Sequence, residues 1–165
     1  EFMKCECRDG EPFCHIHATG SYGWRWMPEY VRELGVDLEG HPDVEMREFI
    51  YDMPLVMAAA DLVICRAGAA TISEAAASGT PCIMVPSPNV TDNHQEKNAR
   101  VLEKHGAAIV LRESECSGET IYETAKAVLS DPERRRSMTS AAHKMAVVDA
   151  AERIYDVAME LAKAR

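Results

Sequence analysis

Three short apolar runs constrain this chain more than any other feature. They are DLVIC (61–65), CIMVP (82–86) and AAIVL (107–111). Each is too short for an ordinary helix and, apart from the leading Asp61, apolar, as strands buried on both faces are. Helix-like stretches separate them. TISEAAASG (71–79) ends at Gly79, with Pro81 preventing its continuation. After CIMVP the loop SPNVTDN leads into a helix through Glu103 that stops at Gly106. Strand and helix alternating at this spacing predict βαβ units with a parallel sheet, and right-handed crossovers make that sheet doubly wound.

Upstream, PFCHIHAT (12–19) reads as a strand, WMPEYVRELG (26–35) as a helix, VEMREFI (44–50) as a half-buried strand of period two, and MPLVMAAAD (53–61) as a helix opened by Asp52. The expected fold is thus α/β, with about five parallel strands. From Gly118 onward ETIYETAKAVLS, PERRRSMTSAAHKMA and VDAAERIYDVAMELAKAR predict a helical tail. Glu1-Phe2 before Met3 reads as a cloning scar, so residues 1–11 are expected to be an extension outside the fold and 12–165 the domain.

Composition excludes some functions. The net charge is −9, so a broad nucleic-acid interface is not expected. No apolar run approaches the roughly 20 residues of a membrane-spanning helix, and the first residues lack a basic region followed by an apolar stretch, so no signal peptide is expected. The six cysteines, at 5, 7, 14, 65, 82 and 116, include Cys65 and Cys82 inside strand-like runs. There a reduced cysteine behaves as a small hydrophobe, which suits a reduced, cytoplasmic protein. Cys5, Cys7, Cys14, His15 and His17 offer donors for zinc, but C-x-C followed by C-H-x-H lacks the paired spacing of common zinc sites, and no metal site is expected.

In open parallel sheets, ligands bind where strands pass into helices at their carboxyl ends. That rule puts Arg66-Ala67-Gly68-Ala69-Ala70-Thr71 on the functional rim. Small side chains there leave the first helical N–H groups uncovered for an anionic group such as a diphosphate. Gly68 would permit an unusual backbone angle. Glu74, one turn on, suits the vicinal diol of a ribose. Two plainer readings stand beside this one. Thr71-x-x-Glu74 also fits a capping box, and alanines on one helix face would let helix and sheet pack closely.

REFIYDM, followed by AAADLVICRAGAATISEAAASGTPCIMVPSPNVTDNHQEKNARVLEKHGAA, resembles the C-terminal domain of the MurG family. The combination of G-A-x-T-x-S-E with D-x-H-Q-x-x-N-A is the specific part of the match. That family comprises GT-B glycosyltransferases that move N-acetylglucosamine from UDP onto lipid I, converting it to lipid II in peptidoglycan synthesis. The resemblance implies a Rossmann-like GT-B half lacking its first strand and helix. It implies UDP-N-acetylglucosamine as donor and no cofactor. Ile50 would lie at the uracil, Ala69, Ala70 and Thr71 along the diphosphate and sugar, and Glu74 on the ribose diol. His94, Gln95 and Asn98 would face the N-acetylglucosamine; Arg66 would either touch phosphate or pair structurally. No residue here would act as acid or base. The acceptor lipid I and the catalytic base would belong to an N-terminal domain not included in the sequence. The resemblance thus implies weak or absent donor binding by this chain alone, no transfer by it, and a full-length enzyme peripheral on the inner face of the plasma membrane. Two other roles remain open: one subunit of a split two-polypeptide N-acetylglucosaminyltransferase, or a fragment that self-associates through an exposed sheet edge.

Overall fold

In the computed structural model, which describes residues 1–10 and 12–163, all five predicted strands are present and every pairing is parallel. The boundary expected at residue 11 falls outside the described residues. β1 (His15–Ala18) pairs with β2 (Val44–Arg47), His15 opposite Val44. β3 (Val63–Cys65), β4 (Cys82–Met84) and β5 (Ala108–Val110) form a second ladder in that order. Val63 stands opposite Cys82, and Cys82 opposite Ala108.

The sheet is therefore divided in two rather than continuous. β2 stops at Arg47 instead of running to Ile50, and no ladder joins β3 to β1 or β2 among the described residues. One consequence shows in β3. DLVIC reads as buried on both faces, yet Ile64 is 40% exposed, while Cys82, Ile83 and Met84 of β4 are at most 1% exposed.

β4 is the centre of packing. Cys82 and Met84 point to one face, where they meet α4 (Met53–Ala59) through Met57, α5 (Ala69–Ser78) through Ala75, and α6 (His94–Lys104) through Ala99 and Leu102. Ala142 of α8 (Pro132–Met145) completes that core. Ile83 points to the opposite face and is also fully buried. Burying Ile83 and Met84 contributes roughly 1.5–3 kcal/mol each of transfer free energy. α7 (Gly118–Leu129) buries Tyr122, Ala125 and Val128, and its N-cap Ser117 accepts a hydrogen bond from the Thr120 N–H. Asp131 caps α8 in the same way, through the Arg134 N–H.

The N-terminal residues take part in the fold, against the expectation of an extension outside it. Phe2–Asp9 form a helix, α1, with Met3 and Cys5 buried. The Phe2 ring lies 5.3 Å from His15 and 5.6 Å from Tyr122, edge-on to both. Tyr122 Oη donates to Asp9 Oδ2 at 3.0 Å. α1 also joins a second core, in which Met3 meets Val31 of α3 (Met27–Glu33), Val36 and Val44. The helix predicted over 26–35 begins earlier, as a separate short α2 (Gly20–Trp24) before α3. α9 (Ala150–Lys163) leaves Ile154, Tyr155, Val157 and Leu161 exposed.

Candidate functional site

The turn between β3 and α5 is built from residues with almost no side chain. Its peptide leaves the end of β3 at Cys65, and Gly68 is the N-cap of α5. The first intrahelical bond runs from the Ile72 N–H to the Gly68 carbonyl at 3.0 Å. The N–H groups of Ala69, Ala70 and Thr71 therefore have no helical acceptor. Among the described residues no side chain caps them.

The capping-box alternative fails on geometry. Thr71 is the third helical residue, not the cap, and Glu74 sits two turns from the cap on an exposed face. No hydrogen bond or ion pair holds the Glu74 carboxylate among the described residues. The packing alternative holds for half of the alanines. Ala75 and Ala76 are buried against the core, whereas Ala69 and Ala70 are exposed at the helix start. Gly68 corrects one expectation: its φ of −66° and ψ of 150° are ordinary extended values, open to any residue. What its missing side chain supplies is space, since a Cβ there would meet nothing nearer than Thr71 Oγ1 at 3.8 Å.

α6 brings the second group of candidates to the same rim. Its entry is sharp: Asp92 (φ 56°) and Asn93 (φ 48°) both adopt left-handed backbone, which Asp and Asn tolerate better than other side chains. Asn93 is the N-cap, and Asp92 receives Lys97 Nζ at 2.6 Å. His94 is exposed, its Nδ1 2.9 Å from the Thr91 carbonyl. Gln95 turns inward: its Oε1 accepts from the Ala67 N–H at 3.3 Å and the Ser87 N–H at 2.9 Å. Asn98, half-buried one turn on, has no hydrogen-bond partner among the described residues.

Ile50 stands somewhat apart. It is half-buried after β2 and just ahead of α4, which packs on α5; no hydrogen bond links it to the other candidates among the described residues. Asp52, expected to cap α4, occupies the N-cap position without a side-chain bond, and Arg47 Nη1 lies 3.9 Å from its carboxylate. Arg66 has a structural engagement: it pairs with Glu113 and donates from Nη1 to the Val85 carbonyl at 3.1 Å. Sequence reasoning missed Ser87 and Glu113, because nothing in a backbone amide or a lone surface acid marks it as the partner of a residue 8 or 47 positions away.

Electrostatics hold the start of α6 in place. Asn93 Nδ2 donates to Glu96 Oε2 at 2.8 Å, and Arg112 Nε to Glu96 Oε1 at 2.8 Å. These two bonds, Asn93 first, pull the Glu96 carboxyl down to about 2. A separate cleft of about 560 Å³ lies against α1, lined in part by Lys4, Cys5, Cys7, Arg8, Val36 and His41. It shares no residue with the α5 turn. No cluster of three or more His, Cys, Asp or Glu side chains is placed to hold a metal ion among the described residues.

Residues 4–154 match the family described as the glycosyltransferase family 28 C-terminal domain. A UDP-N-acetylglucosamine--N-acetylmuramyl-(pentapeptide) pyrophosphoryl-undecaprenol N-acetylglucosamine transferase from Acetivibrio thermocellus is 39% identical over 151 residues, covering 92% of this chain and 40% of that protein. The protein of the same name from an Anaeromyxobacter species is 42% identical over 155 residues, covering 94% and 39% respectively. The chain thus spans about 40% of the length of these curated relatives. The crystal structure of Acinetobacter baumannii MurG superposes with a TM-score of 0.73 at 28% identity, over 88% of this chain and 40% of that one. Spinosyn rhamnosyltransferase SpnG complexed with thymidine diphosphate superposes at 0.52 with 27% identity, over 70% of this chain and 29% of that one. With a family match over most of its length, and relatives and a solved fold that agree with it, the chain belongs to the glycosyltransferase family 28 C-terminal domain family.

Proposed function

We propose that this chain is the donor-binding part of an enzyme that transfers N-acetylglucosamine from UDP to lipid I in peptidoglycan synthesis. The observation that carries the reading is the start of α5, where the open amides of exposed Ala69 and Ala70 and of half-buried Thr71 stand together and a free carboxylate follows on the same helix. Ala70 to Glu74 is i to i+4, so the carboxylate lies on the same helix face as the small side chain of Ala70. The N–H groups of Ala69, Ala70 and Thr71 take the diphosphate, and Glu74 accepts from the ribose hydroxyls. Ile50 lies against the uracil, and His94 and Asn98 meet the sugar. Names borne by the relatives support a UDP-N-acetylglucosamine donor, and the SpnG complex supports a nucleoside diphosphate on this fold.

In such a transfer the acceptor hydroxyl displaces UDP at the anomeric carbon with inversion. Charge grows on the leaving diphosphate, and a helix N-terminus aimed there favours the transition state over the ground state. None of the residues placed at the site acts as acid or base; the base and the lipid I site would come from an N-terminal domain. The chain alone binds UDP weakly and does not transfer. The complete enzyme works on the inner face of the plasma membrane, held there by that other domain; no helix among the described residues is long and apolar enough to cross a membrane.

Calorimetry tests the assignment. Glu74→Ala should weaken UDP about tenfold, the worth of a charge-assisted hydrogen bond, and leave inorganic pyrophosphate unchanged. Equal UDP affinity for variant and wild type would remove Glu74 from the ribose.

A further inference from the structure

We propose that Gln95 is a positioning residue that aims the α5 amides, rather than a contact for the donor sugar; this rests on the reading of those amides as the diphosphate site. One atom carries the argument. Gln95 Oε1 accepts two backbone N–H groups from two different loops, Ala67 after β3 at 3.3 Å and Ser87 after β4 at 2.9 Å. Both lone pairs of that oxygen are occupied by backbone, so it cannot accept from a sugar hydroxyl, and only the Nε2 N–H groups are left to face a ligand. Ala67 is fully buried, and its N–H would otherwise be an unpaired donor in the core. It immediately precedes Gly68, the N-cap, so the peptide that Gln95 holds is the one that sets the direction of Ala69, Ala70 and Thr71.

The same two loops carry a second tie, from Arg66 Nη1 to the Val85 carbonyl at 3.1 Å. Arg66 is exposed and its bond lies at the surface, whereas Gln95 is half-buried beneath the turn. Gln95 is thus the inner clamp and Arg66 the outer one. Because Gln95 belongs to the first turn of α6, the clamp also fixes where His94 and Asn98 stand relative to α5.

The two roles separate in one experiment on this chain. Gln95→Leu removes the acceptor, while Gln95→Glu keeps it. Hydrogen exchange resolved by residue should show the Ala67 and Ser87 amides slow in wild type, faster by about tenfold or more in Gln95→Leu, and slow again in Gln95→Glu. Affinities for UDP and for UDP-N-acetylglucosamine should fall by the same factor in Gln95→Leu, since the loss lies at the diphosphate that both share. A fall confined to UDP-N-acetylglucosamine would overturn the proposal and return Gln95 to the sugar. So would fast exchange of either amide in wild type, a result that needs no variant to fold. If wild type binds no UDP, the donor-site reading fails by itself, and the exchange rates still decide whether Gln95 is the clamp.

Discussion

His15 Nδ1 lies 2.8 Å from Glu6 Oε2, and the carboxylate is only 4% exposed. This pair fastens α1 to β1 and makes the first ten residues part of the domain. His15→Ala would leave a buried carboxylate without its partner and should cost about 1–3 kcal/mol in a urea titration. Adding Glu6→Leu should recover part of the loss, because the unpaired group is then gone. Equal stability of His15→Ala and wild type would mean that α1 is not held this way.

Gly79 ends α5 with φ +71°, and a Cβ there would come within 2.2 Å of His143 Nε2 on α8. Gly79→Ala therefore meets both an unfavourable backbone angle and a steric clash, and should destabilise by about 2–4 kcal/mol. His143→Ala in the same chain should relieve the clash and leave the backbone part. Thermal unfolding of the two variants separates the contributions.

Gly68 should behave in the opposite way. Its backbone is ordinary and the space beside it is open. Gly68→Val should change stability by about 1 kcal/mol or less, yet its methyl groups would stand over the α5 amides. UDP binding should be lost while the melting temperature is nearly kept; retention of binding would place the diphosphate elsewhere.

The Glu96 carboxyl gives the structure a defined response to acid. It titrates at about 2 in the fold, held by Asn93 and Arg112, against an ordinary value of 4.5. A carboxyl depressed by folding stabilises fully above its unfolded value, and that contribution disappears as pH falls toward the folded one. The stability difference between wild type and Glu96→Gln should be constant above about pH 5.5 and shrink between pH 4.5 and 2. Chemical denaturation at stepped pH measures it. A difference that grows as pH falls would contradict the assignment.

Much of this architecture is legible in the residues themselves. DLVIC, CIMVP and AAIVL announce strands because short continuous apolar runs have few other homes, and the Gly79 and Gly106 stops mark helix ends. α1 was not legible: FMKCECRD is mixed in charge, lacks a capping side chain, and becomes a buried helix through partners distant in the chain, among them Val31, Val44 and Tyr122, the last 113 residues away from Asp9. The division of the sheet was hidden for a similar reason, since Ile64 looks the same in sequence whether or not a neighbour covers it. At the site, the small residues of the turn and the free acid at Glu74 could be read from pattern. The inward turn of Gln95 could not, because its partners are backbone groups that every sequence contains.

The central claim is that the first amides of α5 receive the diphosphate of UDP. Titrating UDP into the labelled chain while following backbone amide resonances tests it most directly. The account predicts saturable shifts at Ala69, Ala70 and Thr71, with weak affinity. Resonances at those three amides that stay still while others move, for instance beside Lys4 and Arg8, would contradict it.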